Sequence, residues 1–182
     1  MCSTKLKVHN TFQYTKCLAL VAMLLFSGTT GLCDSASSAK GIATCDFNFE
    51  MRAEGEENGF CLADLNGSVT VIVFFTTWCP NCPHVLQELD RLAAENLDGL
   101  KIIPLNIGNE DAAEVKKHYD EHRITNLKAY TSIASEKVSN CIHYIPSCFV
   151  FNKNGELVRE YSRDGQTFNP ENLKMLVRDL LN

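Results

Sequence analysis

Two cysteines separated by two residues, in Trp78-Cys79-Pro80-Asn81-Cys82-Pro83, are the side chains of this 182-residue chain best placed to do chemistry. Such a pair can close a small disulfide ring or supply two metal ligands. The residues on either side decide where it stands. Before it runs Val69-Thr70-Val71-Ile72-Val73-Phe74-Phe75, β-branched and apolar on both faces, as a strand buried inside a parallel sheet reads. After it Val85, Leu86, Leu89, Leu92 and Ala93 recur at helical spacing up to Gly99. The pair is therefore expected at the start of a helix fed by a buried strand, where backbone amides and the helix dipole favour a thiolate over a thiol. This makes Cys79 the expected nucleophile. Cys82, one turn inward and less exposed, is the expected resolving cysteine that breaks a mixed disulfide. Half of a zinc site is the competing reading, but zinc needs a second matching pair, and Cys141 and Cys148 are seven residues apart.

The rest of the chain supplies the elements that would hold this pair. Cys45 to Glu50 alternates with period two, Glu54-Gly55-Glu56-Glu57-Asn58-Gly59 turns the chain, and Phe60-Cys61-Leu62 returns, which predicts an N-terminal β-hairpin. Leu100 to Ile107 reads as the next strand, with Pro104 marking a bulge or an unpaired stretch. Asp111 to Arg123, with Ala112, Val115 and Tyr119 at spacings of three and four, predicts a second helix. Cys148 to Phe151 and Glu156 to Tyr161 flank Asn152-Lys153-Asn154-Gly155, a hairpin turn with Gly where a positive φ is needed. A last helix, capped by Asn169 with Pro170 at its first position, would bury Leu173, Leu176, Val177 and Leu180. The sum is an α/β sandwich in a single domain. Hydrophobic residues make up 45% of the chain and charged residues 21%, so it can build a core. A net charge of −5 argues against nucleic acid as a partner.

Nine cysteines are an odd number for a chain that pairs them. The N-terminus offers a resolution. Lys5, Lys7 and Lys16 precede the apolar run Leu18 to Phe26, which Ser27-Gly28-Thr29-Thr30-Gly31 ends abruptly, the layout of an export signal rather than a membrane-spanning helix of about 20 apolar residues. Residues 1–39 read as a signal peptide or an N-terminal membrane anchor, with cleavage near Ala36 or Ala39. Leu32 before Cys33, in place of Gly or Ala, argues against a lipid-attachment site. Losing this segment removes Cys2, Cys17 and Cys33 and leaves six cysteines, in an oxidising compartment where disulfides persist. Beside Cys79 and Cys82 these are Cys45, Cys61, Cys141 and Cys148, candidates for a structural disulfide. Three pairings stay open, buried free thiols are the alternative, and Cys148 is a further candidate for exchange with the active pair.

Taken with Thr76-Thr77-Trp78-Cys79-Pro80-Asn81-Cys82, Phe60 to Gly67, Ile145-Pro146-Ser147 and Asn154-Gly155-Glu156, the sequence resembles the thioredoxin superfamily. Within it the chain is similar to the exported TlpA/ResA/CcmG-like branch, and Arg123 to Tyr130 leans towards TlpA. The resemblance covers residues 40–182 and implies a thioredoxin-like fold, a central mixed sheet flanked by helices. It implies a cis bond before Pro146 facing the CxxC, with Trp78, Ile145 and Pro146 contacting the partner. It also implies a periplasmic protein-disulfide reductase without a cofactor, acting in cytochrome oxidase or cytochrome c biogenesis and re-reduced by a membrane electron donor. The family's usual carboxylates are absent: Val73 and Val85 occupy their positions, leaving Glu88 or water to handle protons. Pro83 after the second cysteine removes an early helix amide.

A different class of function is a copper-binding assembly chaperone of the Sco type, using Cys79, Cys82 and His143. The spacing of its motif differs from this one by a residue. His84 could stabilise a thiolate, though a solvated helix histidine is the simpler reading. A peroxidase is set aside because Ile72 stands where the peroxiredoxin motif needs Pro.

Overall fold

A computed structural model of the protein describes residues 47, 49–108, 110–132, 142–161 and 168–182. The expected export segment, Cys45 and Cys141 lie outside the described residues. Strands β1 (Met51–Ala53), β2 (Val69–Phe75), β3 (Leu100–Asn106), β4 (Tyr130–Ser132), β5 (Ser147–Phe151) and β6 (Leu157–Tyr161) form one sheet in the order β1-β4-β3-β2-β5-β6. Helices α1 (Cys82–Ala94), α2 (Ala112–Glu121) and α3 (Pro170–Leu181) cover it, and a 3₁₀ turn spans Leu62–Leu65. β2 is parallel to β3 and antiparallel to β5, so the sheet is mixed. Among the described residues no helix is long and apolar enough to cross a membrane.

β2 is central, and every residue of it is buried. Its alternation divides the core. Val69, Val71, Val73 and Phe75 face the helices, packing with Leu86 and Leu89 of α1, Val115 and Tyr119 of α2, and Leu173 and Val177 of α3. Ile72 and Phe74 face the other way, into an aromatic layer with Phe47, Phe49, Met51, Phe149 and Phe151. Phe47 meets Phe149 and Phe151 edge-on at 4.9 and 5.0 Å.

Most expected elements stand where the periodicity puts them, and the differences have local causes. Pro104 makes no bulge against β2, because the register runs unbroken with Pro104 opposite Val73. The Val69 amide donates to Gly99 C=O and the Ile107 amide to Phe75 C=O, which directs the odd-numbered β3 amides at β2. Pro104 therefore turns its nitrogen towards β4, whose pairing begins only at Leu105. At the N-terminus, a single antiparallel bridge joins Met51 to Phe60 through two 2.8 Å backbone hydrogen bonds, and β1 pairs in length with β4. The hairpin with Cys45 to Glu50 as its first arm is not established, since Cys45, Asp46 and Asn48 lie outside the described residues. The β5–β6 turn has Gly155 at φ 75° as expected, and the Asn169 side chain accepts the Asn172 amide to cap α3.

Candidate redox site

Cys79 and Cys82 are joined in a disulfide, with Cα atoms 5.4 Å apart. They sit where β2 hands over to α1. The Cys79 amide donates to Thr76 C=O and the Cys82 amide to Cys79 C=O, so two tight turns carry the chain from the last β2 residue into the helix. Cys82 is the first helical residue and is fully buried, and Cys79 is 3% exposed. Around them Pro80, Asn81 and His84 are exposed, and Trp78 is 71% exposed. The pair thus lies just beneath a surface that an exposed indole marks.

The helix start gives the pair less electrostatic support than the sequence suggests. Asn81, the N-cap, makes no side-chain capping bond. The Cys82 amide is taken by Cys79 C=O, and Pro83 at the second helical position has none. Two of the donors that a helix start normally leaves open are therefore unavailable to a thiolate at Cys79.

Ile145–Pro146 is a cis peptide bond. The β2–β5 register ends with Phe74 opposite Ser147. Pro146 directly precedes that last pair, and Ile145 and Pro146 are both half-buried. Ile145 packs against the helix-side core that holds both cysteines. Beside it Tyr144 is 64% exposed, a second surface aromatic that the sequence reading did not single out.

The other cysteines separate. Cys61 is disulfide-bonded. Cys148 is not a bridge partner: it is a buried free thiol on β5, opposite Val73. Burial pushes its pKa up to about 12, so it stays protonated and inert towards exchange.

The histidine and carboxylate expectations also shift. His84 and His143 are exposed. No group of three or more His, Cys, Asp or Glu among the described residues is arranged to hold a metal, and Cys79 and Cys82, two of the three ligands of the Sco-type reading, are bonded to each other. Val73 and Val85 are buried in the apolar core as their types demand. Glu88, the expected substitute, is largely covered and engaged by Arg91. Glu110 approaches instead. Its Oε1 accepts the Thr77 amide at 2.9 Å and the Thr77 hydroxyl at 2.7 Å. Burial alone would raise the Glu110 pKa, but the Thr77 hydroxyl and backbone hydrogen bonds outweigh it and hold the carboxyl below its usual range. Glu110 is missed in the sequence because the contact spans 33 residues and leaves no local pattern. The charge runs behave in part as solvated faces: Lys116 and Lys117 pair with Asp120 and Glu121 along α2. Glu54 is half-buried, and burial followed by nearby Asp111 raises its pKa.

The comparisons with known proteins agree with this geometry. The chain is 24% identical over 149 residues to the thiol-disulfide oxidoreductase ResA of Oceanobacillus iheyensis, covering 80% of this chain and 77% of that protein. Among solved structures, a secreted disulfide oxidoreductase of Mycobacterium tuberculosis superposes with a TM-score of 0.59 at 17% identity, over 72% of this chain and 96% of that one. StoA from Bacillus subtilis superposes with a TM-score of 0.54 at 22% identity, over 70% and 93%. The fold is thioredoxin-like. The family profile Redoxin matches residues 43–174, a span that contains the Cys79–Cys82 pair and the cis Pro146. That match covers more than half of the chain, with the disulfide at the turn between the central strand and its helix inside it, and the chain belongs to the Redoxin family.

Proposed function

We propose that the chain is a thiol:disulfide oxidoreductase that reduces disulfides of partner proteins outside the cytoplasm. The observation that carries the reading is the Cys79–Cys82 disulfide itself, closed at the β2–α1 junction beside an exposed Trp78. Oxidoreductase activity follows from this pair and from Redoxin membership. The reductive direction, the roles of the two cysteines and the compartment are the further reading.

In the reduced protein, the Cys79 thiolate attacks one sulfur of the partner disulfide. A Cys79–partner disulfide forms and the partner's other sulfur leaves as a thiolate. Cys82 then attacks the Cys79 sulfur, forming the Cys79–Cys82 bond and releasing the second partner thiolate. Two electrons pass from the dithiol to the partner. A dithiol donor at the membrane reverses the sequence and restores Cys79 and Cys82. Trp78, Ile145 and Pro146 present the surface on which the partner's cysteine-bearing strand lies, a role supported by Trp78's exposure and by the position of Pro146 directly before β5, the neighbour of β2.

The export-like layout of residues 1–39 supports an extracytoplasmic site, as does the secreted mycobacterial relative. Cytochrome oxidase or cytochrome c assembly factors are the partner class that the TlpA-like resemblance favours. Capture tests this. The Cys82→Ser variant, expressed in the native host, is expected to accumulate a mixed disulfide with an extracytoplasmic protein carrying a cysteine pair. Capture of cytoplasmic thiol proteins alone would overturn the compartment and partner class.

A further inference from the structure

Where the ends of β2 and β3 meet α2 and the residues just before it stands a group of buried polar atoms that the exchange steps do not use. Thr76 Oγ1 and His118 Nε2 are buried without a hydrogen-bond partner among the described residues, and beside them the Asn106 side chain bears on the Glu110 carboxyl. Groups of this kind are costly to bury unpaired, so they mark a place where structure serves something other than packing. At its centre Glu110 grips Thr77 through two hydrogen bonds, and only Trp78 separates Thr77 from Cys79.

We propose that Glu110 is a positioning residue of the redox site: its carboxylate latches the segment leading into Cys79, and its fixed negative charge sets how acidic the Cys79 thiol is. The inference rests on the reading of Cys79 as the nucleophile.

Both halves follow from geometry. The Thr76 to Cys79 turn is closed by the Cys79 amide on Thr76 C=O, and the Glu110 bonds to Thr77 lie inside that turn. Holding the Thr77 amide therefore holds the turn. Two residues of chain span at most roughly 7 Å, so a carboxylate bonded to Thr77 lies within about 10 Å of Cys79. At that range and an effective dielectric of about 20, a fixed negative charge raises a thiol's pKa by about one unit. The sign opposes the helix, which favours the thiolate.

The groups that face the two partners are few. Thr77 faces Glu110 from the β2–α1 turn, and the Asn106 side chain faces it from the end of β3. His118 of α2 lies within its electrostatic reach, with His122 and Glu121 acting on His118 in turn. Cys79 has His84 ahead on α1 and His143 on the segment before β5, both exposed. None of these removes the Glu110 charge near neutral pH, where its depressed pKa keeps it ionised.

Two substitutions separate charge from latch. Glu110→Gln loses the charge but keeps a carbonyl oxygen that can accept both Thr77 bonds. Glu110→Asp keeps the charge but is one methylene too short to reach. In the reduced full chain, the rate of iodoacetamide alkylation is followed against pH, with the modified residue located by peptide mass mapping, and Thr77 amide exchange is measured alongside. Glu110→Gln is expected to lower the Cys79 midpoint by about one pH unit with Thr77 protection unchanged. Glu110→Asp is expected to shift the midpoint by less than half as much and to speed Thr77 exchange at least about tenfold. A Gln variant with the wild-type midpoint, or an Asp variant with wild-type Thr77 exchange, overturns the proposal. Alkylation of Cys82 ahead of Cys79 in the wild-type protein would instead overturn the assignment of the nucleophile.

Discussion

Cys148 lies directly across the β2–β5 ladder from Val73, and its thiol is free and fully buried while the neighbouring Cys79–Cys82 pair is oxidised. A pKa near 12 leaves Cys148 about a thousandfold poorer in thiolate than an ordinary cysteine. In the folded protein at pH 8, iodoacetamide is expected to leave Cys148 unmodified over hours and to label it fully in denaturant. Rapid labelling under native conditions would show that β5 opens, and would revive Cys148 as an exchanging thiol.

Asp90, buried on α1, ties down the segment that follows α2. Its Oδ1 accepts the Thr125 amide at 3.0 Å and the Asn126 amide at 2.6 Å, and its Oδ2 accepts Asn126 Nδ2 at 2.9 Å. Asp90→Ala removes a charged acceptor and strands two amides, at an expected cost of about 1.5–3 kcal/mol. Asp90→Asn keeps one oxygen for the amides and should lose about half as much. Urea unfolding checks this through the midpoint at constant slope. A loss in Asp90→Ala below about 0.5 kcal/mol would mean that the loop is held by packing alone.

His118 predicts a pH dependence of stability. Burial, followed by the nearby His122, lowers its pKa below 6.5, with Glu121 and Glu110 opposing more weakly, and its ring stacks on Phe75 at 6.5 Å. Above pH 6.5 the ring is neutral in both folded and unfolded chains and contributes no slope. As pH falls from 6.5 towards the folded value, the unfolded chain binds the proton first and stability drops. Urea midpoints measured between pH 7.5 and pH 5, the range about 6.5 that this linkage spans, should decline, and His118→Gln should flatten the decline. An identical slope in the variant would assign the effect to other groups.

How much of this was legible in the sequence depends on whether the signal is local. β2 declares itself through seven apolar or β-branched residues, α1 through the spacing of Val85 to Ala93, and α3 through Asn169 and Pro170. The redox pair needs only Cys79, Cys82 and those two neighbours. β4, by contrast, is three residues long, and its partners are β1 and β3, so nothing near Tyr130 announces it. The aromatic layer of Phe47 and Phe49 over Phe149 and Phe151 joins segments about a hundred residues apart. Counting cysteines leaves open which of the four remaining thiols pair; Cys148 is a free one because it faces inward on β5, where a thiol packs as a small hydrophobe. Glu110 carries no motif because its importance lies in reaching Thr77.

The claim on which the rest depends is that Cys79 attacks and Cys82 resolves. It is tested by mixing the reduced Cys79→Ser and Cys82→Ser variants separately with a disulfide-bonded model peptide and following the products by intact mass. Cys82→Ser should accumulate a stable one-to-one mixed disulfide mapped to Cys79, and Cys79→Ser should form none at a comparable rate. Accumulation in Cys79→Ser with none in Cys82→Ser would reverse the roles, and the absence of any mixed disulfide in both would contradict thiol:disulfide exchange as the activity.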